Sequence, residues 1–450
     1  MKIIVFDDDP TGSQNVYGCP LLLKWDQETL ARGLEHESPL LFILTNTRAL
    51  PQDIAALRIR EICKAFIQVY AKTNIYNKEL LVISRGDSTL RGHLVLEPEV
   101  INNELGPYDA TFHVPAFLEG GRTTLNGIHY LNNIPVHKTC FAKDRLFGYK
   151  TSDLSKLLEQ KSLGMIKSKD VEILSTSKLD FASNNKRGME TLLDWLLSLN
   201  LNKQVVVDAT SDEHLMIFAN AIKTLISKKK FLFRSSASLI KALADLDKNP
   251  LNSKNLASLR IRDESGLPKP GLVLVGSHVQ LADNQLNILL MNQDCVGLEF
   301  PVKKIANILD QDSPTSLIYE LELKVLNQLK MILSENKTPV LFTSREEYLF
   351  NSNTERMSFG IKLAEIMARI VREVSFQIGY LISKGGITTQ VLLESGLKCR
   401  LVNLQGQILP GLSVVTPESD SSYNLPIITF PGNLGNDKTL LEAWKLMENL

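Results

Sequence analysis

Three consecutive aspartates, Asp7, Asp8 and Asp9, follow the apolar run KIIVF and lead into Pro-Thr-Gly in the opening DDDPTGSQ. In open α/β sheets the carboxyl ends of strands border the ligand crevice, so side chains just after such a run stand where chemistry happens. One aspartate before Thr-Gly has an ordinary use as a turn or helix cap, and Asp7 can fill it. Three adjacent carboxylates exceed that use, because their repulsion must be met by cations, donors or a raised pKa. The triplet is therefore a candidate for chemistry, and the residue types alone leave open which aspartate caps and which acts. A second cluster, RGDSTLRGH after the apolar ELLVIS, sets Arg85 and Arg91 around Asp87, Ser88 and Thr89. Guanidinium groups pair bidentately with carboxylates while Asp, Ser and Thr take up hydroxyls, the chemistry of a site for a hydroxylated acid. A helix cap with a solvated salt bridge would use the same residue types. Arg48, in TNTR just past LLFIL, can join this pocket, and Arg122 can reach it from a glycine-rich, irregular region spanning about 118 to 150.

The later half carries glycines. GYLISKGGITT reads as a strand, then Gly385-Gly386, then a helix through TTQVLLESG; PIITFPGNLGND repeats the arrangement with Gly432 and Gly435. Glycines let backbone approach phosphate oxygens, and a helix start presents free N–H groups. Ser277 follows the apolar GLVLVG and can contact phosphate as well. Neither a GxxxxGK[ST] nor a GxGxxG run occurs, so ordinary P-loop and dinucleotide readings lack their fingerprints. His93, His113, His129 and His278 lie in or near these stretches without metal-ligand spacing, and no metal site is expected.

These residues need strands to present them. KIIVF, LLFILT, ELLVIS, ATFHVPAF, QVVVDAT and FLFR, then GLVLVGS, CVGLEF, PVLFTS, GYLIS, CRLVNL and PIITF, are apolar throughout, as strands are when helices cover both faces of a parallel sheet. At 450 residues the chain exceeds what one core holds. The fold class is α/β: two α/β domains with largely parallel sheets and a ligand cleft between them. The turn-rich stretch 248–271 reads as a linker separating domains 1–247 and 272–450, with a candidate closing hinge near 245–271. Fifty basic and fifty acidic residues give zero formal net charge, which opposes nucleic-acid and membrane partners. Five scattered cysteines fit free thiols in a reducing cytoplasm, and no run approaches the roughly 18 apolar residues of a membrane helix. A cytoplasmic protein, compatible with a homodimer, is expected.

DDDPTGSQ resembles the DDxTGx signature opening the four-carbon acid sugar kinase family, with Asp8, Asp9, Thr11 and Gly12 on the matching positions. TNTR, RGDSTLRGH, VPAFLEGGRTTLNGIHYLNNIPV, FRSSAS, VGSHV, SKGGITT, GQILPG and FPGNLG follow in the family's order and span nearly the whole chain. The resemblance implies a first domain that binds a sugar acid and a second that binds ATP with Mg2+. Ser277, Gly385, Gly386 and Gly432 would be the ATP contacts, and Asp8 or Asp9 would orient or deprotonate the acceptor hydroxyl. The chain departs from the pattern at Ile387, where many members carry Asp after Gly-Gly, which puts a ribose or metal contact there in doubt. Two other readings compete. Asp7-x-Asp9-x-Thr11 with Thr45, Asp208 and Asp212 resembles haloacid-dehalogenase phosphatases, although no lysine-bearing third motif stands out. A sensor that binds the acid or the nucleotide without catalysis is the third.

Overall fold

The computed structural model describes residues 1–9, 16–73, 79–144, 146–246, 252–309, 314–345, 348, 350, 352–418 and 424–449. Thr11 and Gly12 lie outside the described residues. The chain divides into two compact units, Met1–Lys248 and Asn249–Leu450.

The first unit contains strands β1 (Lys2–Asp7), β2 (Cys19–Leu22), β3 (Leu40–Leu44), β4 (Leu80–Arg85), β5 (Ala110–Val114), β6 (Arg122–Leu125), β7 (Ile128–Leu131), β8 (Ile134–Pro135), β9 (Glu172–Leu174), β10 (Lys203–Val207) and β11 (Phe231–Ser235). Eight of them pair in the order β2-β3-β1-β4-β11-β5-β10-β9, every contact parallel. Such strands are buried on both faces, which is why β1, β3 and β5 tolerate no exposed position. Even Lys2 is buried, its ammonium donating to the carbonyls of His36 and Ser38 at 2.7 and 2.8 Å. Phe112 on β5 meets the rings of Phe218, Phe231 and Phe233 at 5.0–5.7 Å, each such pair contributing about 0.5–1.5 kcal/mol beyond area burial. The irregular region holds the small antiparallel sheet β6-β7-β8, bridged to the main body through Thr124 and Ala209.

The second unit adds β12 (Gly271–Val275), β13 (Cys295–Phe300), β14 (Thr338–Thr343), β15 (Tyr380–Lys384), β16 (Leu401–Leu409), β17 (Leu412–Pro417) and β18 (Ile427–Phe430). Its strands run β13-β14-β12-β15-β18-β17-β16, parallel through β18 and antiparallel over the last two pairings. The segment read as a linker belongs, from Asn252 on, to this unit: Leu256 and Ala257 on a short helix lie in its core beside Ile408 and Trp444, while 247–251 fall outside the described residues.

Both sheets share one topological device. After β1 the chain builds β2 and β3 on one side, then crosses to β4 on the other; after β12 it builds β13 and β14, then crosses to β15. The strand order reverses at β1 and at β12, which opens a crevice at the carboxyl end of each. The aspartate triplet follows β1, and Ser277 follows β12.

Candidate active site

Asp7 ends β1, and its backbone carbonyl accepts from the amide of Thr45 at 2.8 Å and from its hydroxyl at 2.9 Å, pinning the loop after β3 against the triplet. Asp8, with no exposed surface, is ringed by arginines from three segments. Arg48 Nη2 donates to Asp8 Oδ1 at 2.6 Å, Arg85 Nη1 lies 3.6 Å from the same oxygen, and Arg234 Nη2 lies 3.6 Å from Oδ2. Asp9 is partly exposed and pairs with Arg48 Nη1 at 3.0 Å. Burial pushes the Asp7 carboxyl up to about 7, with Asp8 and Asp9 adding to the rise against the opposing pull of Arg85, 3.4 Å away. Burial alone would lower the Arg48 pKa, but Asp8, Asp9 and Asp87 hold it well above the ordinary arginine value.

The β4 loop completes the cluster. Arg91 Nε donates to Asp87 Oδ2 at 2.7 Å, and Thr89 donates to the same oxygen. Burial would raise the Asp87 carboxyl, yet Arg48, Arg91 and these hydrogen bonds hold it far below the carboxylate range. Arg122, over the Phe117 ring, is near enough to Asp87 to feel its charge; burial dominates and lowers its pKa, and its Nε is buried without a partner among the described residues. Ser88 contributes its carbonyl, which meets His129 Nε2 at 2.8 Å. A cavity lined by Gly86, Asp87, Arg91, His113 and Arg234 opens beside these groups. All eight candidates from the first domain thus gather around the switch point of its sheet.

Two members of the cluster escaped the sequence reading. Arg234 Nη1 donates to Glu97 Oε2 at 2.5 Å and to Ser84 Oγ at 2.7 Å, while Thr47 donates to Glu97 Oε1 at 2.7 Å. Glu97 and Arg234 are 1% and 4% exposed. A lone arginine ending the apolar FLFR was the available signal for one; nothing in LEPEV marks Glu97 as buried. Glycines make the fit possible. A Cβ on Gly86 would fall 2.3 Å from Arg234 Nη2, and one on Gly92, at φ +92°, would fall 2.9 Å from Asp8 Oδ2.

The histidines of the first unit are held by hydrogen bonds within the fold. His93 Nε2 meets the carbonyls of Thr47 and Leu50, His129 meets Thr124 and Ser88, and His113 meets Gln204. Burial lowers both His113 and His129 to about 4, so both are neutral at ordinary pH. Asp208, the fourth-motif candidate of the phosphatase reading, stands after β10, four places from β1 in the sheet. It accepts from the amides of Asn126 and Gly127 at 2.8 and 2.9 Å, tying down the β6–β7 turn. It does not join Asp7.

In the second unit the loops after β12, β15 and β18 converge. A Cβ on Gly432 would lie 2.5 Å from Ser277 Oγ, one on Gly385 would lie 3.3 Å from Ser277 N, and one on Gly276 would lie 2.0 Å from Thr388 Oγ1. Gly385 sits at φ +124°, a conformation that side chains resist. Gly386 begins a helix and has open space where a Cβ would be, so no close approach demands glycine there. This cradle of backbone and hydroxyls around Ser277, Gly385 and Gly432 fits phosphate oxygens. Ile387 is 44% exposed. His278 Nε2 meets Thr343 Oγ1 at 3.0 Å, with its pKa lowered by burial and then by Arg345. Among the described residues no group of three or more His, Cys, Asp or Glu could hold a metal ion, and no helix is long and apolar enough to cross a membrane.

The first unit thus presents an arginine–carboxylate crevice with the chemistry an anionic polyol needs, and the second, on a mixed sheet, a glycine cradle with the chemistry phosphate oxygens need. Comparison with known proteins agrees. Residues 3–243 match a sugar-binding N-terminal domain and residues 272–440 a nucleotide-binding C-terminal domain. The chain belongs to the four-carbon acid sugar kinase family and is a kinase. It is 24% identical to a D-threonate kinase of Salmonella typhimurium, covering 100% of this chain and 99% of that one, and 23% identical to a D-erythronate kinase of Heliobacterium modesticaldum, covering 97% and 94%. It shares its fold with a Salmonella typhimurium protein described as a putative tRNA synthase, at TM-score 0.68 and 18% identity over 98% of both chains. A Haemophilus influenzae protein shares it as well, at TM-score 0.64 and 15% identity over 99% of both.

Proposed function

We propose that this kinase transfers phosphate from ATP to the 4-hydroxyl of a four-carbon sugar acid of the threonate, erythronate or 3-oxo-tetronate class. The observation that carries this reading is the ring of arginines around Asp8 and Asp9 at the switch point of the first sheet: it offers guanidinium to a carboxylate and carboxylates to hydroxyls. Arg91, Arg122 and the outer edge of Arg48 hold the acid's carboxylate, while Asp87 and Ser88 receive its inner hydroxyls. Asp9, partly exposed and hydrogen-bonded through Arg48, orients the acceptor hydroxyl and takes its proton. Asp8, enclosed by arginines, fixes Arg48 in place for that task.

Phosphoryl transfer asks little covalent chemistry of a protein and depends on positioning and charge. ATP supplies the phosphoryl group when bound, and Ser277, Gly385 and Gly432 are the residues that receive its phosphates. Mg2+ bound with the nucleotide would offset charge on its phosphates.

ADP release measured with Mg2+-ATP against threonate and erythronate stereoisomers and their 3-oxo forms tests the reading. Substrate-dependent ADP production for one of these acids supports it. Phosphate release from the corresponding 4-phosphates without ATP would favour the phosphatase reading, and nucleotide and acid binding without turnover would favour the sensor.

A further inference from the structure

We propose that Lys384 and Arg345, which neither glycine turn contains, are the cations that bind the nucleotide's phosphates in the second unit. The inference rests on the reading that this unit binds ATP.

Lys384 is the last residue of β15, directly before Gly385, and has no exposed surface. Its ammonium donates to the carbonyl of Pro431 at 3.2 Å and lies 3.7 Å from the centre of the Phe430 ring. Among the described residues no carboxylate forms an ion pair with it. A fully buried lysine without an anion is costly and rare, and an apolar residue would fill the space at less cost. Burial, then repulsion from Arg345, lowers its pKa to about 7.

Arg345 follows β14. Its Nη1 donates to the carbonyl of Ser277 at 2.5 Å and lies 3.0 Å from Asp283 Oδ1, while Nε and Nη2 are buried with no acceptor among the described residues. The loop it grips is the one that Gly385 and Gly432 approach. Two cations, one with ammonium protons to spare and one with two idle guanidinium nitrogens, therefore border the glycine cradle. From the β12 loop His278 faces Arg345 in its neutral form, and from the following helix Asp283 offers one carboxylate. Glu299 also acts on Arg345, and Arg356 acts on His278, so among the described residues three cations, with Lys384 protonated, face two carboxylates, one positive charge in excess. A polyphosphate supplies the missing negative charge and the missing acceptors.

The arrangement has a proton signature. Free Lys384 is largely neutral at pH 8, and phosphate beside it favours the ammonium, so nucleotide binding draws a proton from solution.

Isothermal titration of the full chain with ADP, at pH 8 in buffers of different ionisation enthalpy, reads affinity and proton uptake together. Wild type is expected to take up close to one proton per ADP beyond that seen in Lys384→Met. ADP affinity should fall about 10- to 100-fold in Lys384→Met and in Arg345→Gln, with adenosine binding unchanged in both. Lys384→Met replaces a buried charge with an apolar chain of similar length, and Arg345→Gln, at a less buried position, carries the test should the first variant fail to fold. ADP bound by both variants with wild-type affinity and proton stoichiometry would overturn the inference and leave the nucleotide reading standing. Wild type that binds no ADP would overturn both.

Discussion

Replacing Arg234 with Met tests whether the buried charge network is what holds the acceptor crevice together. Arg234 reaches Glu97 at 2.5 Å and Ser84 at 2.7 Å, and it flanks Asp8 at 3.6 Å. Without it, among the described residues Glu97 keeps the hydroxyls of Thr47 and Ser84, at 2.7 and 3.0 Å, while remaining 1% exposed. Breaking a buried pair from one side leaves an uncompensated charge and costs about 3–5 kcal/mol, a large share of the roughly 5–15 kcal/mol that typically stabilises a domain. Adding Glu97→Gln removes the stranded charge, so the double variant should recover most of the loss. Two units are expected to give two denaturant transitions, so urea melts are paired with hydrogen exchange on peptides from β4, β11 and the helix Leu96–Leu105. A loss below about 1 kcal/mol in Arg234→Met, the scale of a surface ion pair, would refute the reasoning. So would a double variant no more stable than the single one.

Other outcomes follow from the same geometry. The folded state holds a proton on Asp7 up to about pH 7, whereas an unfolded carboxyl gives it up near 3.8; the stability this contributes is present at low pH and is lost as pH rises through 7. Asp7→Asn should therefore flatten the fall in melting temperature between pH 4.5 and 8 and be the more stable protein at pH 8. Asp9→Asn should lower kcat about 10²- to 10⁴-fold with little change in nucleotide affinity, and turnover near wild type would remove Asp9 from the mechanism. Gly385→Ala, at φ +124° and with its new Cβ 3.3 Å from Ser277 N, should cost about 1–3 kcal/mol in thermal unfolding of the second unit and weaken ADP binding by titration.

Strand positions were legible because strands buried on both faces carry continuous apolar runs. β2, β9 and β17 were not read: CPLL and EIL are too short to stand out, and LSVVTP merges with the turn before it. The aspartate triplet and the Arg85–Arg91 cluster announced themselves by packing charge directly behind apolar runs. Strand order did not, since it depends on which side of β1 each crossover falls, and no local pattern encodes that. Arg234 and Ser84 are 150 positions apart and meet only because β4 and β11 are neighbours. Lys384 was visible as the letter between LIS and Gly-Gly, but its burial and missing counter-ion exist only in three dimensions.

The acceptor crevice gathers five arginines, Arg48, Arg85, Arg91, Arg122 and Arg234, and five carboxylic acids, Asp7, Asp8, Asp9, Asp87 and Glu97. Their parity turns on Asp7, the member that titrates near neutrality. With its proton in place the inventory carries a surplus of one positive charge, the complement of a monoanion; with the proton gone the surplus vanishes. On the proposed reaction, a sugar acid with a single carboxylate would cancel that surplus. Once phosphorylated, the same molecule would carry nearly two further negative charges, more than the formal surplus balances. On the proposed reaction the crevice would be matched to its substrate and mismatched to its product, so that the chemical step itself would supply an electrostatic push for departure.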